Sequence, residues 1–184
     1  MVLPRMRMDW DDRGRQMSKY KFILDIDGVF TDGRFYYTEQ GKVMKQFGAD
    51  DHDAIKLIKN DVDVIMISGD WRGYNISSLR VRDMGFELHK VAGNEERVKW
   101  MHEQFGDDLS NIIYMGDGLT DAHAFMEVGY AICPNNASEF VKKYANYICM
   151  TDGGHRAVAE AVFHIYSHFF GKSFEDVMGI KEKK

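Results

Sequence analysis

A chain of 184 residues, 45% hydrophobic and 29% charged, is long enough to bury one sizeable core and is the size of a single domain. Its net charge of −5 gives no electrostatic footprint for nucleic acid or an anionic membrane, so small-molecule partners are expected, although an acidic chain can still hold a cation locally. Cys133 and Cys149 are too few and too far apart for a disulfide framework or a zinc quartet, and read as small core residues of a reducing compartment.

Residues 1–18 mix Arg, Asp and Met without periodicity and read as a loose extension with no role. They contain no apolar core of signal-peptide length, and no later run approaches the ~20 residues of a membrane span. A soluble, cytoplasmic protein is the expectation.

The organising stretch is KFILDIDGVFTDG at 21–33. Phe22, Ile23 and Leu24 form a short apolar run that fits a strand buried on both faces of a parallel sheet, ending at Asp25 and Asp27. Two carboxylates two residues apart at the tip of such a strand repel each other and lose solvation. A hard divalent cation would offset both effects; a solvated acidic turn is the plainer alternative.

Two β-prone runs around Glu39-Gln40-Gly41 predict a hairpin over 34–47, overhanging the strand's carboxyl end. Ala54, Leu57 and Ile58 fall at helical spacing behind Asp50-Asp51-His52-Asp53, whose acids suit a helix amino end; His52 reads as a surface helix residue. A second buried strand at 62–67 delivers Ser68-Gly69-Asp70, where a small hydroxyl and the following amides can donate to an anionic oxygen. A helix over 71–82 and a strand over 86–91 follow.

Asn94 reads as an amino cap for the helix EERVKWMHEQF. The strand at 111–115 runs into Gly116-Asp117-Gly118-Leu119-Thr120-Asp121, so a helix starting near Leu119 would put one acid at the strand tip and the other on the turn above it. Short strands at 129–133 and 146–150 flank a helix at 137–144. Ala161, Val162, Ile165, Phe169 and Phe170 give an apolar stripe, and the end from Lys181 reads as disordered.

Strands alternating with helices predict an α/β sandwich around a mainly parallel sheet, with ligands at the carboxyl ends of its strands. Asp25, Asp27, Ser68 and Asp117 all end such strands, so one fold would bring them together.

DIDGVFTDG and, some ninety residues later, GDGLTD resemble the first and fourth signatures of the haloacid dehalogenase superfamily of phosphotransferases. The resemblance implies a three-layer α/β/α sandwich, Rossmann-like, over 19–172, with a tail at 173–184, the hairpin as a small flap and no large cap domain. It implies Asp25 as nucleophile and magnesium ligand, and Asp27 as general acid/base lending its backbone carbonyl to the metal. Ser68 would be the second-signature donor, Asp117 a magnesium ligand, Asp121 an acid orienting the site's cation-bearing side chain, and Thr31 and Gly69 substrate contacts.

The third signature is a lysine that neutralises nucleophile and phosphate, yet its place falls on Asn94. Lys90, Arg97 or Lys99 would substitute, with Arg97 slightly favoured over Lys90. The continuation TDG and the motif GGHRAV at 153–158 are similar to the branch acting on 3-deoxy-D-manno-octulosonate 8-phosphate and related sugar acids such as nonulosonate 9-phosphates. That similarity implies a homo-oligomer, commonly a tetramer, and a phosphorylated small-molecule substrate met by Arg80 and, with His155, by Arg156. Arg80 reads equally as a surface ion-pair partner, and His155 and Arg156 equally as a solvated helix start.

Asp50 and Asp70 stand where the branch commonly has arginine, which reverses the local field toward an anionic substrate. Two further readings therefore stay open: a phosphatase of another metabolite or nucleic-acid phosphate end, and a metal-binding regulatory module with weak catalysis.

Overall fold

The structure, a computed structural model, describes residues 20–181; the expected loose extension at 1–18 lies outside the described residues, as does the end beyond Lys181. Six strands form a parallel sheet: β1 (Lys21–Asp25), β4 (Asp63–Ser68), β5 (Leu88–Lys90), β6 (Ile112–Met115), β7 (Tyr130–Cys133) and β8 (Tyr147–Ile148), in the order β5-β4-β1-β6-β7-β8. β2 (Tyr36–Thr38) and β3 (Gly41–Met44) pair antiparallel as a separate hairpin, turning at Gly41, whose φ of +115° favours glycine.

The alternation along β1 builds two cores. Phe22 and Leu24 pack with Ile55 and Ile58 of α1 (Asp50–Ile58), Val81 of α2 (Tyr74–Asp83) and Ala161, Val162 and Ile165 of α6 (Ala157–Phe170). Ile23 packs the other way, with Met101 of α3 (Glu95–Phe105), Phe125 of α4 (Ala122–Glu127) and Val141 of α5 (Glu139–Lys142). Helices therefore cover both faces, and burial of each such aliphatic side chain is worth roughly 1.5–3 kcal/mol. The expected three-layer sandwich without a large cap is what forms.

The chain enters the sheet at its centre, runs outward through β4 to β5, and returns to the other side of β1 as β6. β1 and β6 are thus neighbours across the topological switch point, where crevices open at the carboxyl ends of such sheets.

Several boundaries differ from the sequence reading. α2 starts at Tyr74 because the Asp70 carboxylate accepts the Gly73 amide at 3.1 Å and holds 70–73 in a turn. α5 keeps four residues of the expected 137–144, beginning after the Ser138 cap. The tail at 173–184 contains a helix, α7 (Phe174–Met178). Ser173 and Asp176 cap its start reciprocally, and Phe174 packs 4.8 Å from the Phe163 ring.

Candidate active site

β1 ends on Asp25, in register with Ile67 of β4, and Leu24 is in register with Met115 of β6. The loops after β1, β4 and β6 therefore open on one side of the sheet. There Asp25, Asp27, Gly69, Asp70, Gly93, Arg97, Asp117 and Thr120 line a cleft of about 320 Å³, with Phe35 and Lys42 of the hairpin over it. A larger groove of about 750 Å³ between α3 and α4 is lined by Val98, His102, His123 and Met126 and receives no strand-tip acid.

Asp25, Asp117 and Asp121 each bring a carboxylate oxygen within 4.8 Å of the others. Their roles separate by hydrogen bonding. Asp121 Oδ2 accepts the amides of Asp117 (3.0 Å) and Gly118 (2.9 Å), while Oδ1 accepts the Tyr114 hydroxyl (2.7 Å) and the Arg97 guanidinium. Both its oxygens are engaged. Asp25 Oδ1 accepts the Ile26 amide at 2.9 Å and Oδ2 accepts Arg97 Nη1 at 3.2 Å.

The Asp117 carboxylate rests against Gly28, where a Cβ would lie 2.0 Å from its Oδ2, so only glycine with its φ of +87° admits the approach. Burial, with the charges of Asp121, Asp25 and Asp27, pushes Asp117 up to about 8. Burial, opposed by Arg97 and reinforced by Asp121 and Asp27, pushes Asp25 up to about 7. Three crowded acids face one guanidinium, an imbalance that a divalent cation fits, and oxygen donors of this kind suit a hard ion.

Arg97 is buried in the first turn of α3 and also donates to the Tyr114 hydroxyl at 2.7 Å. Although burial works against its charge, Asp25, Tyr114 and Asp121 raise its pKa well above the ordinary value, so it is a permanent cation. Of the three candidate cations for the third signature, it is the one that reaches Asp25 and Asp121. Lys90 does not: it is exposed at the end of β5, with its ammonium 3.9 Å over the Trp71 ring. Lys99 is also directed outward, 3.8 Å from Glu103. Asn94 occupies the position before α3, but with φ of +58° and no side-chain cap; its amide donates to the Thr120 carbonyl instead.

Ser68 Oγ donates to Asp27 Oδ2 at 3.2 Å and accepts the Asp70 amide at 3.1 Å. Gly69 is bare against Val91 O and Arg97 Nη2, which a Cβ would meet at 3.3 and 3.5 Å. Thr31 is buried, and its hydroxyl accepts the amides of Gly28 and Gly33, which folds the loop after β1. Its position is structural.

Arg80 and Arg156 fall outside the cleft. Arg80 donates to the Gly48 carbonyl at 3.4 Å, and Arg156 pairs with Asp50 at 2.5 Å beside exposed His155. The acid at position 50 has found its own arginine within the chain.

Sequence reading passed over two hairpin lysines. Lys42 Nζ lies 2.5 Å from Asp70 Oδ2 and 3.2 Å from the Phe35 ring centre; Lys45 Nζ lies 2.6 Å from Asp27 Oδ1 and 2.8 Å from Asp70 Oδ2. Against the opposing effect of burial, hydrogen bonds from Lys42 and Lys45 bring Asp70 down to about 2. The signal was Asp70 itself: an acid where the branch has a base calls for cations opposite.

A Rossmann-like sheet whose switch-point cleft gathers four strand-end acids and one buried guanidinium defines a class, that of Rossmann-like phosphatases. Comparison with known proteins is specific within that class. The family of haloacid dehalogenase-like hydrolases matches residues 93–162. The 3-deoxy-D-manno-octulosonate 8-phosphate phosphatase of Yersinia pestis is 30% identical over 75% of this chain and 74% of that protein. The cobalt-bound structure of the corresponding phosphatase of Haemophilus influenzae superposes with TM-score 0.74 at 30% identity, covering 86% of this chain and 94% of that one. The enzyme of Moraxella catarrhalis, solved with magnesium, phosphate and its octulosonate, gives TM-score 0.72 at 25% identity over 82% and 87%. The chain belongs to the haloacid dehalogenase-like hydrolases. It is a phosphatase of that family, similar to the sugar-acid phosphatases.

Proposed function

We propose that this protein is a Mg²⁺-dependent phosphomonoesterase that forms an aspartyl-phosphate, acting on a phosphorylated sugar acid such as 3-deoxy-D-manno-octulosonate 8-phosphate. The observation that carries the reading is the convergence of Asp25, Asp117 and a buried cation, Arg97, at one switch-point cleft. Asp25 and Asp117, with the main-chain carbonyl of Asp27, would hold the ion, which supplies charge neutralisation between carboxylate and phosphate.

In this reading Arg97 and the main-chain amide of Gly69 bind the transferring phosphoryl oxygens, while the Ser68 hydroxyl stays on Asp27. An Asp25 oxygen bonds to phosphorus as the ester P–O bond breaks, and the leaving oxygen takes its proton from the Asp27 carboxyl. Asp27, now a carboxylate, removes a proton from the water that hydrolyses the intermediate and regenerates Asp25. Residues 19–172 are proposed as the catalytic domain, and assembly into a homo-oligomer such as a tetramer is part of the same proposal.

Phosphate release from a panel tests the reading: the octulosonate 8-phosphate, a nonulosonate 9-phosphate, hexose 6-phosphates and nucleoside 5′-monophosphates, each with Mg²⁺ and with EDTA. The expected result is turnover with Mg²⁺ alone, highest on a sugar-acid phosphate. A preference for a neutral sugar phosphate would overturn the substrate, and EDTA-insensitive turnover the metal.

A further inference from the structure

We infer that Lys45, delivered by the hairpin, is a positioning residue for the Asp27 carboxylate, so that hairpin docking and alignment of the proton-transfer group are one event. The inference rests on the reading of Asp27 as general acid.

A lysine side chain is almost never fully buried unless paired. The Lys45 side chain is fully buried, and its ammonium is paired: it forms ion pairs with Asp27 Oδ1 at 2.6 Å and Asp70 Oδ2 at 2.8 Å and donates a hydrogen bond to Ser77 Oγ at 2.7 Å. With no side-chain surface exposed, Lys45 does not line the cleft, whereas Lys42 does. Lys45 therefore acts through Asp27.

The other Asp27 oxygen accepts from Ser68 Oγ at 3.2 Å. Held at one oxygen from β4 and at the other from the hairpin, the carboxyl plane is set before substrate arrives. The anchorage is built rather than incidental. A Cβ on Gly73 would lie 2.2 Å from Asp70 Oδ2, 2.6 Å from Lys42 Cδ and 2.9 Å from Lys45 Cε, so the cluster packs on bare backbone.

An alkoxide leaving group needs the Asp27 proton as the P–O bond breaks; nitrophenolate departs without it. Misplacing Asp27 should therefore slow an alkyl phosphate far more than a nitrophenyl phosphate. The measurement compares kcat on the best alkyl phosphate of the panel with the pre-steady-state rate of nitrophenolate formation from p-nitrophenyl phosphate, for wild type, Lys45→Met, Lys45→Arg and Asp70→Asn.

We expect Lys45→Met to lose about 10²-fold more on the alkyl ester than on the nitrophenyl ester, within the usual range for general acid catalysis. Lys45→Arg should recover part of that bias, and Asp70→Asn, which removes one of the two anions on Lys45, should show it in weaker form. Asp70→Asn carries the test if Lys45→Met does not fold. Equal losses on both esters, or none on either, overturn the inference alone. Wild-type protein inactive on both esters removes the phosphatase reading, and this one with it.

Discussion

Asp25 and Asp27 stand two residues apart, yet each carboxylate is held by a cation from a different part of the molecule. Arg97 reaches Asp25 from the first turn of α3, and its companions Tyr114 and Asp121 are fully buried. Lys45 reaches Asp27 from a hairpin that pairs only with itself and exposes Tyr36, Tyr37, Val43 and Met44. The environment of Asp25 is therefore as stable as the core, whereas that of Asp27 depends on a peripheral element docking through ions. Elements that frame active sites are often drawn from the less stable parts of a fold.

Three experiments bear on that contrast. The largest effect is expected at Asp25→Asn, which removes the attacking oxygen while leaving the shape of the site; phosphate release should fall by at least about 10³-fold. A variant with near-normal turnover would show that the difference between the two carboxylates has nothing to do with covalent chemistry.

Next comes the stability of the two cations, compared by urea unfolding. Arg97→Met strands Asp25 and Asp121 in the core and should cost roughly 3–5 kcal/mol, the usual penalty for breaking a buried pair. Lys45→Met should cost less, because the Asp27 and Asp70 side chains keep 16% and 13% of their surface in water against 1% for Asp121. Equal costs would mean that the hairpin is as integral as the core.

The smallest effect is a pH dependence of the metal-free protein. Burial raises Asp25 to about 7 and Asp117 to about 8, so between the ordinary carboxylate range and pH 8 the folded state binds more protons than the unfolded one. Stability contributed by these groups is then full at acid pH and is lost as pH rises through the folded values. Melting temperature in EDTA should fall from pH 5 to pH 8, and Mg²⁺ should restore more at pH 8 than at pH 5. A melting temperature in EDTA that rises over this range would show that the two acids are not desolvated.

Much of this was legible before any coordinates. The unbroken apolar run of Phe22, Ile23 and Leu24 and the acids that follow it located the central strand and its tip, since a strand buried on both faces needs such a run. Each further apolar run ending in Ser68 or Asp117 located another strand by the same logic. α7 was legible too, in the spacing of Ser173 and Asp176, but was passed over because the tail is short and polar.

What the linear chain could not decide was which side chains cross between segments. Of Lys90, Arg97 and Lys99, the cations near the end of β5, the sequence favours Arg97 only slightly over Lys90. Only the folded arrangement shows Arg97 turned inward, to Asp25 and Asp121, with Lys90 over Trp71. Likewise Asp50 and Asp70 read as misplaced charges until folding brings Arg156 to one and Lys42 and Lys45 to the other. Local pattern fixes which residues are buried and where strands end, because hydrophobic periodicity is a near-neighbour property. Ion pairs between residues 18 (Asp27 and Lys45) to 106 (Asp50 and Arg156) positions apart depend on how whole elements pack, and that is settled only in three dimensions.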